Sequence, residues 1–194
     1  MIETLLLAGL RASELCGLDG EHLDLAGGRL RVPREVTKTD AGERVIPLLP
    51  ALRERLGEHR AAHATGLGQP AFATRTGRRN TPNNVLNRVI VPAREKANEL
   101  LAAQGRPPIA HLTPHTLRRT FASLLAVCNV PPRRAMYLLG HTDAKLTLSV
   151  YQQVLDMGPG SVELIEQVLG SSLDEARDAL CGHAASAGVL VVNA

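Results

Sequence analysis

Residues 113–125 read TPHTLRRTFASLL, and this stretch decides the fold. Thr113-Pro114 is a favourable helix start, because a threonine side chain can accept a first-turn N–H and proline suits a position whose N–H has no helical partner. At about 100° per residue, Leu117, Phe121, Leu124 and Cys128 fall on one stripe with Leu125 at its edge, and this is the core face. Arg118 lies roughly 80° from the centre of that stripe, His115 about 140° away and Arg119 almost opposite it. Arg118 is therefore expected at the rim of the core, where packing can fix its fork, and Arg119 in solvent. His115 and Arg118 sit near the helix start, where free N–H groups and the positive end of the dipole favour an anion such as a phosphate.

The same punctuation places the neighbouring elements. Residues 2–8 read as the end of a helix closed by Gly9, and Ser13 is expected to cap a short helix through Leu18. From His22 to Leu48 the runs LDL, RLRV, EVTK and RVIPL alternate between AGGR and TDAG, which predicts a small antiparallel sheet with Lys38 near a hairpin tip. Helical spacing returns over residues 50–63. AFATRTGRRN reads as strand or loop, and Thr81-Pro82 opens a further helix that Pro92 should kink or split before about Ala103. Pro131-Pro132 starts a helix ending at Gly140, with Tyr137 packed inside it. Thr142 caps the next, which carries Tyr151. Two more helices are expected from Ser161 and from Ser172, the latter with a capping box to Glu175.

The 194 residues suit one domain, and 44% apolar residues are enough for a core. No run is long enough to span a bilayer and no secretory signal is seen, so a soluble, cytoplasmic protein without a membrane partner is expected. Cys16, Cys128 and Cys181 are far apart and odd in number, which reads as free thiols. The net charge of +3 is unevenly spread. Beyond residue 155 six acids face Arg177 alone, a net of −5, so residues 1–155 carry +8. Within residues 70–119 nine bases, among them Arg75, Arg78, Arg79 and Arg88, face only Glu95 and Glu99. A basic middle and an acidic end point to a polyanion-binding face and a tail that lies elsewhere. His59 and His63 have the i, i+4 spacing of metal ligands but no evident third ligand, so a solvated helix face is the better reading.

GLRASEL at 9–15, Lys38 in a hairpin, HTLR at 115–118, LGH at 139–141 and Tyr151 ten residues later occur in that order. Each piece is common by chance, but the ordered set resembles the catalytic domain of the tyrosine recombinases, the phage integrase family, from about residue 5 to about residue 155. The resemblance implies an α+β, mainly α-helical fold with a small antiparallel β-sheet near the N-terminus. It divides the chain into a catalytic domain at 1–155, without the helical DNA-clamping domain that usually precedes it, and an acidic helical tail at 156–194 docked in cis or on a neighbouring subunit.

It further implies site-specific recombination of double-stranded DNA through a 3′-phosphotyrosyl intermediate, by a homo-oligomer, a tetramer on DNA, with no cofactor and no metal. Tyr151 is then the nucleophile, and Arg11 and Arg118 clamp the non-bridging oxygens. Lys38 protonates the leaving oxygen, His115 and His141 assist proton transfer, and Glu14 supports the site. Arg75, Arg78, Arg79, Arg88 and Arg119 would contact the DNA backbone. The residue types suit phosphoryl transfer in their own right, since it calls for preorganised positive donors and an in-line nucleophile. Two other readings fit the same residues: a non-catalytic DNA-binding module in which 113–140 form a helix-turn-helix, and a relaxing enzyme of the type IB topoisomerase kind.

Overall fold

Leucine-rich amphipathic segments and few aromatic rings leave this chain to build its core from helix on helix, with a small sheet on one side. The computed structural model describes residues 1–37, 42–63, 65–141, 143–155, 166, 169 and 172–181. Helix α1 (Ile2–Ala8) ends at Gly9, whose φ of 60° is left-handed as the sequence predicts. Gly9 also packs against Phe121, and an added Cβ would lie 2.2 Å from that ring, so both its conformation and its neighbour require glycine. Helix α2 (Ala12–Gly17) follows. Its N-cap is Arg11 rather than Ser13: the Glu14 carboxylate turns back to accept the Arg11 N–H at 2.8 Å, and this outcompetes the shorter serine side chain.

The sheet is antiparallel with order β1 (Leu23–Asp24), β2 (Arg29–Val32), β3 (Arg44–Pro47). EVTK does not extend it, because residues Arg34–Val36 form a 3-10 turn behind Pro33, which has no N–H to give a ladder. Register pairs Leu30 with Ile46 and Val32 with Arg44, so Arg44 lies on the same buried face as those apolar residues while Val45 faces outward.

Helix α3 (Pro50–His63) packs on α1, and the segment 70–79 that follows makes short bridges rather than a strand. From Thr81 the chain winds through α4 (Pro82–Val85) and α5 (Val91–Ala103). The break expected at Pro92 takes the form of a π-turn over Leu86–Ile90, in which the Val91 N–H reaches back to Leu86. The wider turn accommodates a proline that neither donates nor tolerates the carbonyl four residues earlier.

Helices α6 (Pro114–Val127), α7 (Pro132–Leu139) and α8 (Ala144–Leu155) form the centre, with α6 against α1, α7 and α8. Thr113 and Thr116 cap α6 reciprocally, each side chain accepting the other's backbone N–H at 3.1 Å. The far end of α6 closes through Asn129, the one non-glycine residue with positive φ (52°) among the described residues, and the Val130 N–H returns to Leu125. Helix α9 (Leu173–Cys181) has the expected Ser172 and Glu175 capping box and lies against α6 of its own chain. Arg134 of α7 donates to the Leu180 carbonyl at 3.0 Å. Tyr137 is not packed inside: Ala135, Leu138 and Leu139 take the inner face of α7, and Tyr137, 42% exposed, carries Arg134 over its ring and accepts the Val45 N–H at 3.0 Å. No helix among the described residues is long and apolar enough to cross a membrane.

Candidate active site

The loop after α1 and the end of α7 converge beside the first turns of α6. The loop after α1 brings Arg11, α6 brings His115 and Arg118, and the end of α7 brings His141. His115, Arg118, Arg119, Leu139 and His141 line one hollow of about 50 Å³ with Ala122 and Val150. Arg118 lies deeper than the rim position the wheel predicts, at 6% exposure, because polar partners await it beneath the apolar stripe. Its guanidinium donates to the carbonyls of Gly9 and Leu139 and stands 4.0 Å from Glu14. His115 is exposed at the mouth.

Glu14 is the hub. Only 1% of its side chain is exposed, and it holds Arg11 at 2.7 Å and the buried Arg44 at 2.9 Å. Burial by itself would raise its carboxyl, but the hydrogen bonds and charge of Arg44, then the hydrogen bonds of Arg11, outweigh that and hold it below the usual range. Three successive carbonyls at the end of α7 each take one arginine. Arg44 Nε donates to Leu138 at 2.8 Å, Arg118 to Leu139, and Arg11 to Gly140 at 3.1 Å. The negative end of a helix dipole and one carboxylate thus offset three packed cations.

The field of this cluster reaches His141. Burial, then the charges of Arg118, Arg11 and Arg44 against the opposing Glu14, lower it to about 4, so it is neutral at physiological pH. Its Nδ1 pairs with the buried Thr147 hydroxyl of α8 at 3.1 Å. Burial and the Arg11 charge also lower Arg118, to about 9, which leaves it cationic. An anion of phosphate size entering here would meet fixed guanidinium donors and a neutral imidazole.

Tyr151 is not among the residues lining the hollow. It is half-buried on α8, and its hydroxyl donates to the Val130 carbonyl at 2.7 Å. Burial, and next the Cys181 and Cys128 thiols, push the phenol above its ordinary range. All three cysteines are free thiols. Lys38 and Thr142 lie outside the described residues, as does the helix expected from Ser161.

A model of the phage integrase family matches residues 1–157. This chain belongs to the phage integrase family. Its similarity to the tyrosine recombinase XerC of Azotobacter vinelandii is 38% identity over 151 residues, 76% of this chain and 45% of that one. With XerC of Pelobacter propionicus it is 34% over 160 residues, 80% of this chain and 47% of that one. The chain thus spans about half the length of the curated relatives it matches. Among solved structures it resembles the Tn1549 transposon integrase, with a TM-score of 0.64 at 23% identity, over 77% of this chain and 52% of that one.

Within this integrase-family fold the basic residues singled out from the sequence separate into two groups. Arg75, Arg78 and Arg88 are exposed. Arg79 is also exposed but is tied down at the end of α2, donating to the Gly17 carbonyl at 2.8 Å and pairing with Asp19 at 2.8 Å. Arg119 is exposed as expected, yet it is tied to Gln153 of α8 at 2.8 Å. His59 Nε2 bonds the Ala71 carbonyl and His63 Nδ1 the His59 carbonyl, and no cluster of three metal-ligating side chains occurs among the described residues. Arg44 was missed by motif reading, although its pairing with Val32 puts it on the buried face of a strand, where an arginine is rare.

Proposed function

We propose that this integrase-family chain is the catalytic part of a tyrosine recombinase that cuts and rejoins one strand of double-stranded DNA at a time. The observation that carries this reading is the convergence of Arg118, His115 and His141 at one hollow, with Arg11 held next to them by Glu14 and the Gly140 carbonyl. The Tn1549 neighbour, solved with a circular intermediate DNA, supports DNA as the partner. In the proposed reaction the Tyr151 oxygen attacks the scissile phosphorus, the bond to the 5′ oxygen breaks, and a 3′-phosphotyrosyl ester forms. The phenolic proton passes to a neutral histidine of the site and Lys38 delivers a proton to the departing 5′ oxygen. Arg11 and Arg118 hold the non-bridging oxygens as negative charge builds on them. Religation reverses these steps with a different 5′ hydroxyl, and the energy kept in the ester removes any need for ATP.

For attack, Tyr151 must leave the Val130 carbonyl, so the arrangement corresponds to a resting site. Arg75, Arg78 and Arg88 are proposed to track the DNA backbone, and a homo-oligomer, a tetramer on DNA, is proposed as the working assembly. The helix-turn-helix alternative fits less well. Leu117, Phe121, Leu124 and Leu125 commit α6 to the core, and the carbonyl end of α7 is occupied by three arginines. The test is a nicked suicide duplex analysed on a denaturing gel. A covalent protein–DNA adduct that disappears in Tyr151→Phe is expected, and salt-sensitive binding with no adduct in either protein would overturn the reading. Relaxation of supercoiled plasmid without strand exchange would favour the type IB topoisomerase alternative.

A further inference from the structure

We propose that Arg44, which no substrate can touch, is a positioning residue that sets the charge and the aim of the Arg11–Arg118 clamp. The proposal rests on the cleavage reading above. The Arg44 side chain is fully buried. Its Nε donates to the Leu138 carbonyl at 2.8 Å and its Nη1 to Gly42 at 2.7 Å, while Nη1 and Nη2 reach the two Glu14 oxygens at 3.2 and 2.9 Å. All three guanidinium nitrogens donate inside the protein. One guanidinium therefore locks three parts together: the start of β3, the end of α7 that leads to His141, and the carboxylate that orients Arg11.

The electrostatic consequence follows from the count of charges. Arg11, Arg44 and Arg118 around Glu14 leave the cluster with two positive charges. Without Arg44 the cluster falls to one, and both Glu14 oxygens lose their inner partner. The freed carboxylate, already 4.0 Å from Arg118, would then compete with the phosphate for the clamp. Burying such a pair is weak evidence for stability, because apolar residues of similar volume often serve as well. A role in aiming and charging the site accounts for an ion pair at this position.

The test compares Arg44→Met, Arg44→Lys and the double variant Glu14→Gln/Arg44→Met in the full chain, each checked by circular dichroism for folding. The double variant restores the net charge of two. For the folded Arg44→Met protein, DNA affinity should stay near that of the parent while single-turnover adduct formation slows on the order of a hundredfold. Arg44→Lys should fall between, and the double variant should be faster than Arg44→Met. Adduct formation at the parent rate in folded Arg44→Met, or a double variant no faster than the single, would overturn the proposal. If Arg44→Met does not fold, Arg44→Lys is compared with the parent: adduct formation several-fold slower at unchanged DNA affinity supports the proposal, and the parent rate overturns it. If the parent protein forms no adduct at all, the cleavage reading fails by itself, and NMR titration of His141 tests Arg44 instead. Loss of Arg44 should then raise the His141 midpoint, and an unchanged midpoint would reject its electrostatic role.

Discussion

The hydroxyl of Tyr151 donates to the carbonyl of Val130, just beyond the opposite end of the helix whose first turns carry His115 and Arg118. The proposed nucleophile and the proposed clamp are thus assigned to the two ends of α6, and α8 would have to shift or unwind to bring them together. Tyr151→Phe should therefore do two separable things. It should abolish adduct formation, and it should lower stability by about 1 kcal/mol through the lost hydrogen bond. Urea denaturation beside the suicide-duplex gel measures both, and an adduct that persists in Tyr151→Phe would assign the nucleophile elsewhere.

Arg118 and Arg119 are adjacent in sequence but should respond very differently to alanine. Arg118→Ala leaves the Gly9 and Leu139 carbonyls without their donor and Glu14 short of a cation, so a loss of about 3 kcal/mol is expected together with loss of the adduct. Arg119→Ala gives up an exposed contact to Gln153, so stability should change by less than about 1 kcal/mol and the adduct should remain. DNA binding should weaken, with a salt slope lower by about one unit. Equal effects from the two substitutions would contradict their placement on the helix.

Acid should destabilise the protein before most of its carboxylates titrate. His141 is lowered from 6.5 to about 4, so below pH 6.5 the unfolded chain binds a proton that the folded chain refuses. Stability contributed by neutral His141 is complete above pH 6.5 and declines as the pH falls toward 4. Glu14, also lowered, adds a loss in the same direction that begins near its unfolded value of 4.5. Melting temperature measured from pH 7 to pH 4 should therefore fall, and His141→Gln should flatten the upper part of that curve. A parent protein with constant stability across this window would show that His141 is not held neutral.

Gly9 and Gly28 offer a matched pair, with φ of 60° and 65°. Gly28→Ala meets nothing within 4 Å and should cost about 1 kcal/mol for its backbone alone. Gly9→Ala adds a collision with the Phe121 ring and displaces a carbonyl that receives Arg118, so about 3 kcal/mol and a weakened adduct are expected. Thermal melts of the two variants settle the comparison, and similar losses would mean that the ring moves aside freely.

Much of this was legible in the chain because it rests on local chemistry. Gly9, Thr113 and Gly140 mark helix ends through backbone rules, and the 3.6-residue stripe of α6 put Arg118 beside the core. Ser13 misled because its neighbour Glu14 reaches back one turn to the Arg11 N–H and makes the stronger cap. Arg44 and the depth of Arg118 were not legible for a different reason. Apart from Gly42, their partners are carbonyls and a carboxylate 21 to 109 residues distant, which no window of sequence displays. The strand register held the nearest clue, since alternation with Ile46 sends Arg44 inward. The placement of Tyr151 against Val130 likewise depends on how α8 packs, and spacing from LGH carries no information about it.

The carbonyl end of α7 gives the site a mechanical property. Leu138, Leu139 and Gly140 are consecutive, so the distances between the three arginines they hold are copied from the peptide spacing of a single chain segment, with Gly140 in its left-handed conformation (φ 62°) as the last mark of the gauge. Separate loops would allow one cation to drift while the others stayed. Here a turn or slip of α7 displaces one partner of all three together, so the seating of this short helix is felt by the whole clamp at once.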